Sequence, residues 1–136
     1  MSGRALALVL GAWIAAAGTA FAHHSFSAEY DDKKPIKLTG KVTMMRWSNP
    51  HAWIYLDVKG KDGKVVNWAF ETGGANSLIR RGWRKEDLPA GTDLVVEGWQ
   101  ARNGSNTANA GSITFLKNGK TLFAGSSNPK AADAAK

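Results

Sequence analysis

The chain has 136 residues, a length suited to one domain, and its 43% hydrophobic and 21% charged residues are the proportions of a folded protein rather than a disordered one. It contains no cysteine, which excludes a disulfide scaffold, a thiolate metal site, a cysteine nucleophile and a lipid-anchored amino-terminal cysteine. Eighteen Lys and Arg against eleven Asp and Glu give a net charge of +7, a balance that suits an anionic partner or surface.

The first 22 residues read as an address. Arg4 supplies a positive start, Ala5 to Ala17 is an uncharged apolar run, and Ala20-Phe21-Ala22 is a small-x-small cleavage site. The run is short for a membrane span and no stop-transfer pattern follows it. The expected product is exported, most simply to a bacterial periplasm, cleaved after Ala22 and without a membrane span.

His23 to Pro35 is a polar stretch without periodicity and is expected to be an amino-terminal arm. Ile36 to Trp47 alternates as a first strand, with Ile36, Leu38, Val42 and Met44 on one face and Gly40 permitting a bend. Ser48-Asn49-Pro50-His51 is turn chemistry, Trp53 to Val58 a second strand, Gly60-Lys61-Asp62-Gly63 a hairpin turn and Val65 to Glu71 a third strand. Gly73-Gly74 breaks the chain before a short helix over Ala75 to Arg81, with Asn76 or Ser77 as its cap. A fourth strand runs from Asp93 to Ala101. Arg102 to Ala110 reads as a small, polar loop that buries nothing, and Ser112 to Leu116 as a fifth strand. Asn118-Gly119 turns into a last short strand, Lys120 to Ala124, and residues 126–136 form a flexible tail.

Three strands, a helix and two more strands is the order of an OB-fold. The predicted fold is all-β: an OB-like, five- to six-stranded, partly open barrel over residues 36–125, with one short helix between strands 3 and 4. Ligands of such barrels usually meet the face of strands 2 and 3, flanked by the 1–2 and 4–5 loops.

Three stretches, Ala22-His23-His24-Ser25-Phe26, Trp47-Ser48-Asn49-Pro50-His51-Ala52-Trp53 and Gly104-Ser105-Asn106-Thr107-Ala108, resemble a family of small exported bacterial proteins known only as a domain of unknown function. The likeness runs from His23 to about Ser126. It implies export and a single β-rich domain, and it implies no activity.

All three histidines of the chain lie at His23-His24 and His51. Cleavage after Ala22 makes His23 the amino terminus, where an α-amine and a ring nitrogen can chelate one metal ion. A second imidazole then completes three nitrogens in a T, which suits the tetragonal preference of Cu(II). This histidine brace is similar to the pattern of exported copper proteins, and its expected ligands here are His23 and His51, with His24 as a further candidate. Thirteen residues separate His23 from Ile36, enough to span about 43 Å, so reach permits the pairing. The alternative is that His23-His24 is plain terminal sequence and that His51 bonds a loop carbonyl as a neutral imidazole. Zinc fits less well, because no cysteine completes its four ligands. Glu29, Asp31, Asp32 and Glu71 are oxygen donors that no spacing joins, and of Met44-Met45 alternation turns only one outward.

Five of the six tryptophans follow residue 22. Trp53 and Tyr55 share one face of strand 2, and Trp68 and Phe70 one face of strand 3. Outward, they would make a stacking platform for glycan or peptide, with Asn49 and Asn106 on the flanking loops; inward, they fill a small barrel. Arg80, Arg81, Arg84 and Lys85 form the densest basic cluster, a solvated face or an anion-binding one. Ser48 stands three residues before His51 without an acidic partner in view, and there is no phosphate loop, dinucleotide fingerprint or acid/base pair. The sequence therefore points to an exported binding protein rather than an enzyme, holding copper, or without metal a glycan or envelope polymer, or else acting as an assembly partner. Copper is the one cofactor expected, and nucleic acid is not an expected ligand of an exported chain.

Overall fold

The computed structural model describes residues 26–125. A single helical turn, α1 (Phe26–Glu29), leads into β1 (Tyr30–Arg46), followed by β2 (Trp53–Lys59), β3 (Val65–Glu71), the short helix α2 (Ala75–Arg80), a 3-10 turn (Lys85–Asp87), β4 (Asp93–Ala101), β5 (Thr107–Phe115) and β6 (Thr121–Phe123). The sheet runs β3-β2-β1-β4-β5-β6, and an additional β3–β5 pairing closes a ring through five strands. All neighbours are antiparallel except β3 and β5, which run parallel. This is the OB-like barrel, with its helix between the third and fourth strands.

β1 serves both halves of the ring. It pairs with β4 as far as Lys41 and with β2 from Lys41 onward. The changeover falls at Lys41, next to Gly40, where a Cβ would stand 2.6 Å from the carbonyl oxygen of Asp57, too close for any side chain at this bend. Ile54, Leu56, Phe70, Leu94, Val96 and Ile113 point into the ring and are fully buried, as alternation along each strand requires.

Four local expectations change. The first strand begins at Tyr30, not Ile36, because Tyr30 already pairs with Ala101; five steps of β1 from Tyr30 to Pro35 oppose two steps of β4, and the surplus bulges out. A second irregularity, between Val42 and Met44, inserts one residue and inverts the alternation. Met44 is therefore 49% exposed, and Met45 packs against the core in its place. The fifth strand starts at Thr107, so Ala108, Asn109 and Ala110 are buried where a solvated loop was expected. Finally, α2 starts from Gly74 with no side-chain cap, its first free amide instead taking the carbonyl of Ser48.

The basic cluster is partly spent on structure. Arg81 donates to the carbonyl of Gly125 at 2.8 Å and lies 4.7 Å over the Phe123 ring. Beside it Trp83, 2% exposed, donates its indole N–H to the carbonyl of Phe123 at 3.0 Å. Trp83→Phe removes that bond and leaves a void, and is expected to cost about 2 kcal/mol, read as a fall of roughly 10 °C in a thermal melt.

A candidate metal-ligand site at the barrel rim

β2 starts two residues after His51, and its first residue, Trp53, lies opposite Glu71, the last residue of β3. That pairing sets the His51 ring over the Glu71 side chain. His51 Nδ1 bonds Glu71 Oε1, and the Tyr30 hydroxyl bonds Glu71 Oε2. One carboxylate thus joins the start of β1, the end of β3 and the loop before β2.

The environment decides the protonation pattern. The Glu71 side chain is only 6% exposed, and an isolated carboxylate there would be costly; two hydrogen-bond donors offset that cost. A carboxylate only accepts, so Nδ1 carries the proton it gives to Glu71, and Nε2 is the ring nitrogen left outside that bond. The His51 side chain stays 39% exposed, and Nε2 has no hydrogen-bond partner among the described residues. Burial, together with the bond to Glu71 and the negative charges of Glu71 and Glu29, pushes the Tyr30 phenol well above its ordinary range. Tyr30 is therefore a neutral donor wherever the fold persists.

Glu71 lies opposite Asn109 in the parallel β3–β5 pairing, and Asn109 is 1% exposed. Outside the ring, an aromatic clasp fastens the entering chain. The Phe26 ring centroid lies 5.6 Å from that of Tyr30 and 5.7 Å from that of Trp99, meeting Trp99 edge-on. Arg102 reinforces the clasp, its backbone N–H reaching the Glu29 carbonyl at 2.9 Å and its Nε the Ser27 carbonyl at 2.7 Å.

The residues singled out in the sequence fare differently. His51 occupies the rim, and its partner is a carboxylate rather than a loop carbonyl. His23 and His24 lie outside the described residues. Among the described residues no three His, Cys, Asp or Glu are grouped to hold a metal ion. Glu71 is no free oxygen donor, since both its oxygens are engaged. Ser48 turns its hydroxyl to the carbonyl of His51, away from any role as a nucleophile on that imidazole.

The aromatic candidates divide between the two faces of the sheet. Trp53 and Tyr55 alternate with the buried Ile54 and Leu56 and so face outward, with the Arg46 guanidinium 5.7 Å from the centre of the Trp53 ring. Trp68 lies opposite Leu56, packs against the core and stacks on Phe70 at 6.1 Å. Trp53, Tyr55 and Trp68 therefore do not form one platform. Asn49 accepts from the backbone N–H of Asn76 at 3.3 Å, which ties the 1–2 loop to α2. The side chain of Asn106 is exposed, while its carbonyl takes the Ala69 N–H at 3.0 Å and extends the closure of the barrel.

Sequence reasoning had no hold on Tyr30 or Asn109, and held Glu71 only as an unplaced donor. The available signal was a glutamate ending a strand that the OB order pairs with strand 5. Among the described residues no helix is long and apolar enough to cross a membrane. Residues 12–110 match the model of a family of unknown function, DUF6152. No curated protein and no solved structure matches the chain.

Proposed function

The chain belongs to DUF6152, a family of unknown function, and so inherits no activity; from its own residues we propose that it is an exported copper-binding protein with a histidine-brace-like site. The observation that carries this reading is the His51 imidazole, held by its Nδ1–H on the buried Glu71 carboxylate, with its side chain 39% exposed and no partner for Nε2 among the described residues. Metal-bound histidines are held in this way, with one ring nitrogen on an outer carboxylate and the other on the metal.

One nitrogen does not make a site, and the missing donors have a source in the sequence. Cleavage after Ala22 would expose the α-amine and ring of His23, with His24 next to it. Three steps of chain join His23 to Phe26, a reach of roughly 11 Å. Phe26 is clasped against Tyr30, whose hydroxyl is on the same carboxylate as His51, so this short tether starts beside the right place. Amine and imidazole nitrogens suit Cu(II), whose affinity for such donors exceeds that of the other divalent first-row metals. Bound there, copper would be held by nitrogen donors from the chain start and from His51. The proposed role is sequestration or delivery.

The test is a Cu(II) titration of protein beginning at His23, followed by EPR. A single tight tetragonal signal is expected, lost when one residue is added before His23 and lost again in His51→Ala. Weak, heterogeneous binding that is the same in all three proteins overturns the reading.

A further inference from the structure

We propose that Glu71 and Tyr30 set the oxidation-state preference of this site, Glu71 pulling it toward Cu(II) and Tyr30 restraining that pull. The inference rests on the copper reading above and deepens it. Its ground is the shared carboxylate: Oε1 takes the His51 Nδ1–H and Oε2 takes the Tyr30 hydroxyl, in a pocket that leaves the Glu71 side chain 6% exposed.

In so dry a setting charge is poorly screened. A full negative charge behind Nδ1–H draws that proton toward itself and leaves the imidazole more basic at Nε2, a better donor to the more highly charged ion. Cu(II) gains more from that basicity than Cu(I), which prefers soft sulfur ligands. The chain has no cysteine, and Met44 and Met45 lie beyond Trp53 in the β1–β2 register, opposite Tyr55 and Ile54. Tyr30 acts on the other oxygen. Its hydroxyl withdraws charge from the carboxylate and so weakens the pull on the His51 proton. Burial keeps this phenol protonated, so the restraint is permanent rather than switched.

Both are positioning residues, since neither touches the ion, and they act with opposite sign. A purely structural role would not produce that opposition. Glu71→Gln keeps the shape of the side chain and removes the charge; Tyr30→Phe keeps the ring and removes the donor.

The experiment uses processed protein beginning at His23, with Cu(II) and Cu(I) affinities measured separately against competing chelators. Glu71→Gln is expected to lower the Cu(II) affinity, relative to that for Cu(I), by about 10- to 100-fold, which raises the Cu(II)/Cu(I) potential by roughly 59 mV for each tenfold change. Tyr30→Phe is expected to move the ratio the other way by several-fold. Shifts of the same sign, or a ratio within twofold of the parent in both variants, overturn the proposal. If Glu71→Gln does not fold, Tyr30→Phe decides alone: an unchanged ratio, or one moved toward Cu(I), counts against it. His51→Ala separates the two levels. Unchanged copper affinity in that variant removes the copper reading, and the tuning with it. Lost affinity in His51→Ala with an unmoved ratio in the other two leaves the site standing and removes only the tuning.

Discussion

Alanine at Gly98 is expected to lower the melting temperature by roughly 10–20 °C, the result of about 3 kcal/mol of overpacking in a domain of this size. The added Cβ would stand 2.0 Å from the carbonyl oxygen of Asn109 and 3.1 Å from the Cα of Ala110. Both are backbone atoms of the paired strand, so no rotamer change relieves the clash, and β4 and β5 must part. Gly111→Ala is the internal comparison. Its Cβ would meet ring atoms of Trp99 at 3.1 and 3.3 Å, and a partly exposed ring can tilt away, so a cost of about 1 kcal/mol is expected there. Circular dichroism melts of the two variants settle the contrast. A Gly98→Ala protein that melts within 3 °C of the parent would show that β4 and β5 are not packed as described.

The same contact explains what the sequence hid. Asp93–Ala101 was legible to the residue because alternating apolar positions mark a strand between two antiparallel partners, and Val65–Glu71 because a β-branched and aromatic run lies between a hairpin turn and Gly73-Gly74. Thr107 to Gly111 carries no such mark. Its residues are small because they run between β3 and β4 where the ring closes, with Gly98 and Asn109 in close backbone approach, and small polar residues read locally as a loop. Closure of the ring is a tertiary demand, invisible within five residues of chain. Met44 is the converse case. Its alternation was real, and one inserted residue in the pairing inverted it, which depends on the partner strand rather than on β1 itself.

The site divides in the same way. His51 stood out because a histidine in the 1–2 loop falls at the ligand-binding rim of the expected barrel. Its partners did not, because Glu71 is 20 residues further on and Tyr30 is 41 residues from Glu71. Tyr30 also sits in the polar stretch that reads as an arm, and only its pairing with Ala101 turns that stretch into the start of β1. What the sequence held was the chemistry of each residue. What it lacked was the parallel β3–β5 closure that brings Glu71 beside Asn109, and the clasp of Phe26 on Trp99 that anchors the entering chain.

Tyr30→Phe tests the rim without any metal. Removing the hydroxyl leaves the buried Glu71 carboxylate with one donor fewer, a loss of about 1.5–3 kcal/mol at neutral pH, since hydrogen bonds to charged groups are the stronger ones. The pH dependence follows from the raised phenol. Below pH 10 the phenol is neutral in folded and unfolded chains alike, and the parent keeps its whole advantage over the variant. Above about pH 10 the unfolded chain releases the Tyr30 proton and the folded chain does not. Each further pH unit then stabilises the unfolded parent by up to roughly 1.4 kcal/mol, a drift that Tyr30→Phe lacks. Groups that titrate in both proteins cancel in the difference. Urea unfolding at pH 7, 9, 10.5 and 11 is therefore expected to give a constant gap between parent and variant up to pH 9, and a shrinking one beyond pH 10. Tyrosinate absorbance in the native parent should meanwhile show at most one of its two tyrosines ionised until the protein unfolds. A gap that stays level to pH 11, with both tyrosines titrating in the native state, would mean that the Tyr30 phenol is free of Glu71, and that the carboxylate behind His51 is held by the imidazole alone.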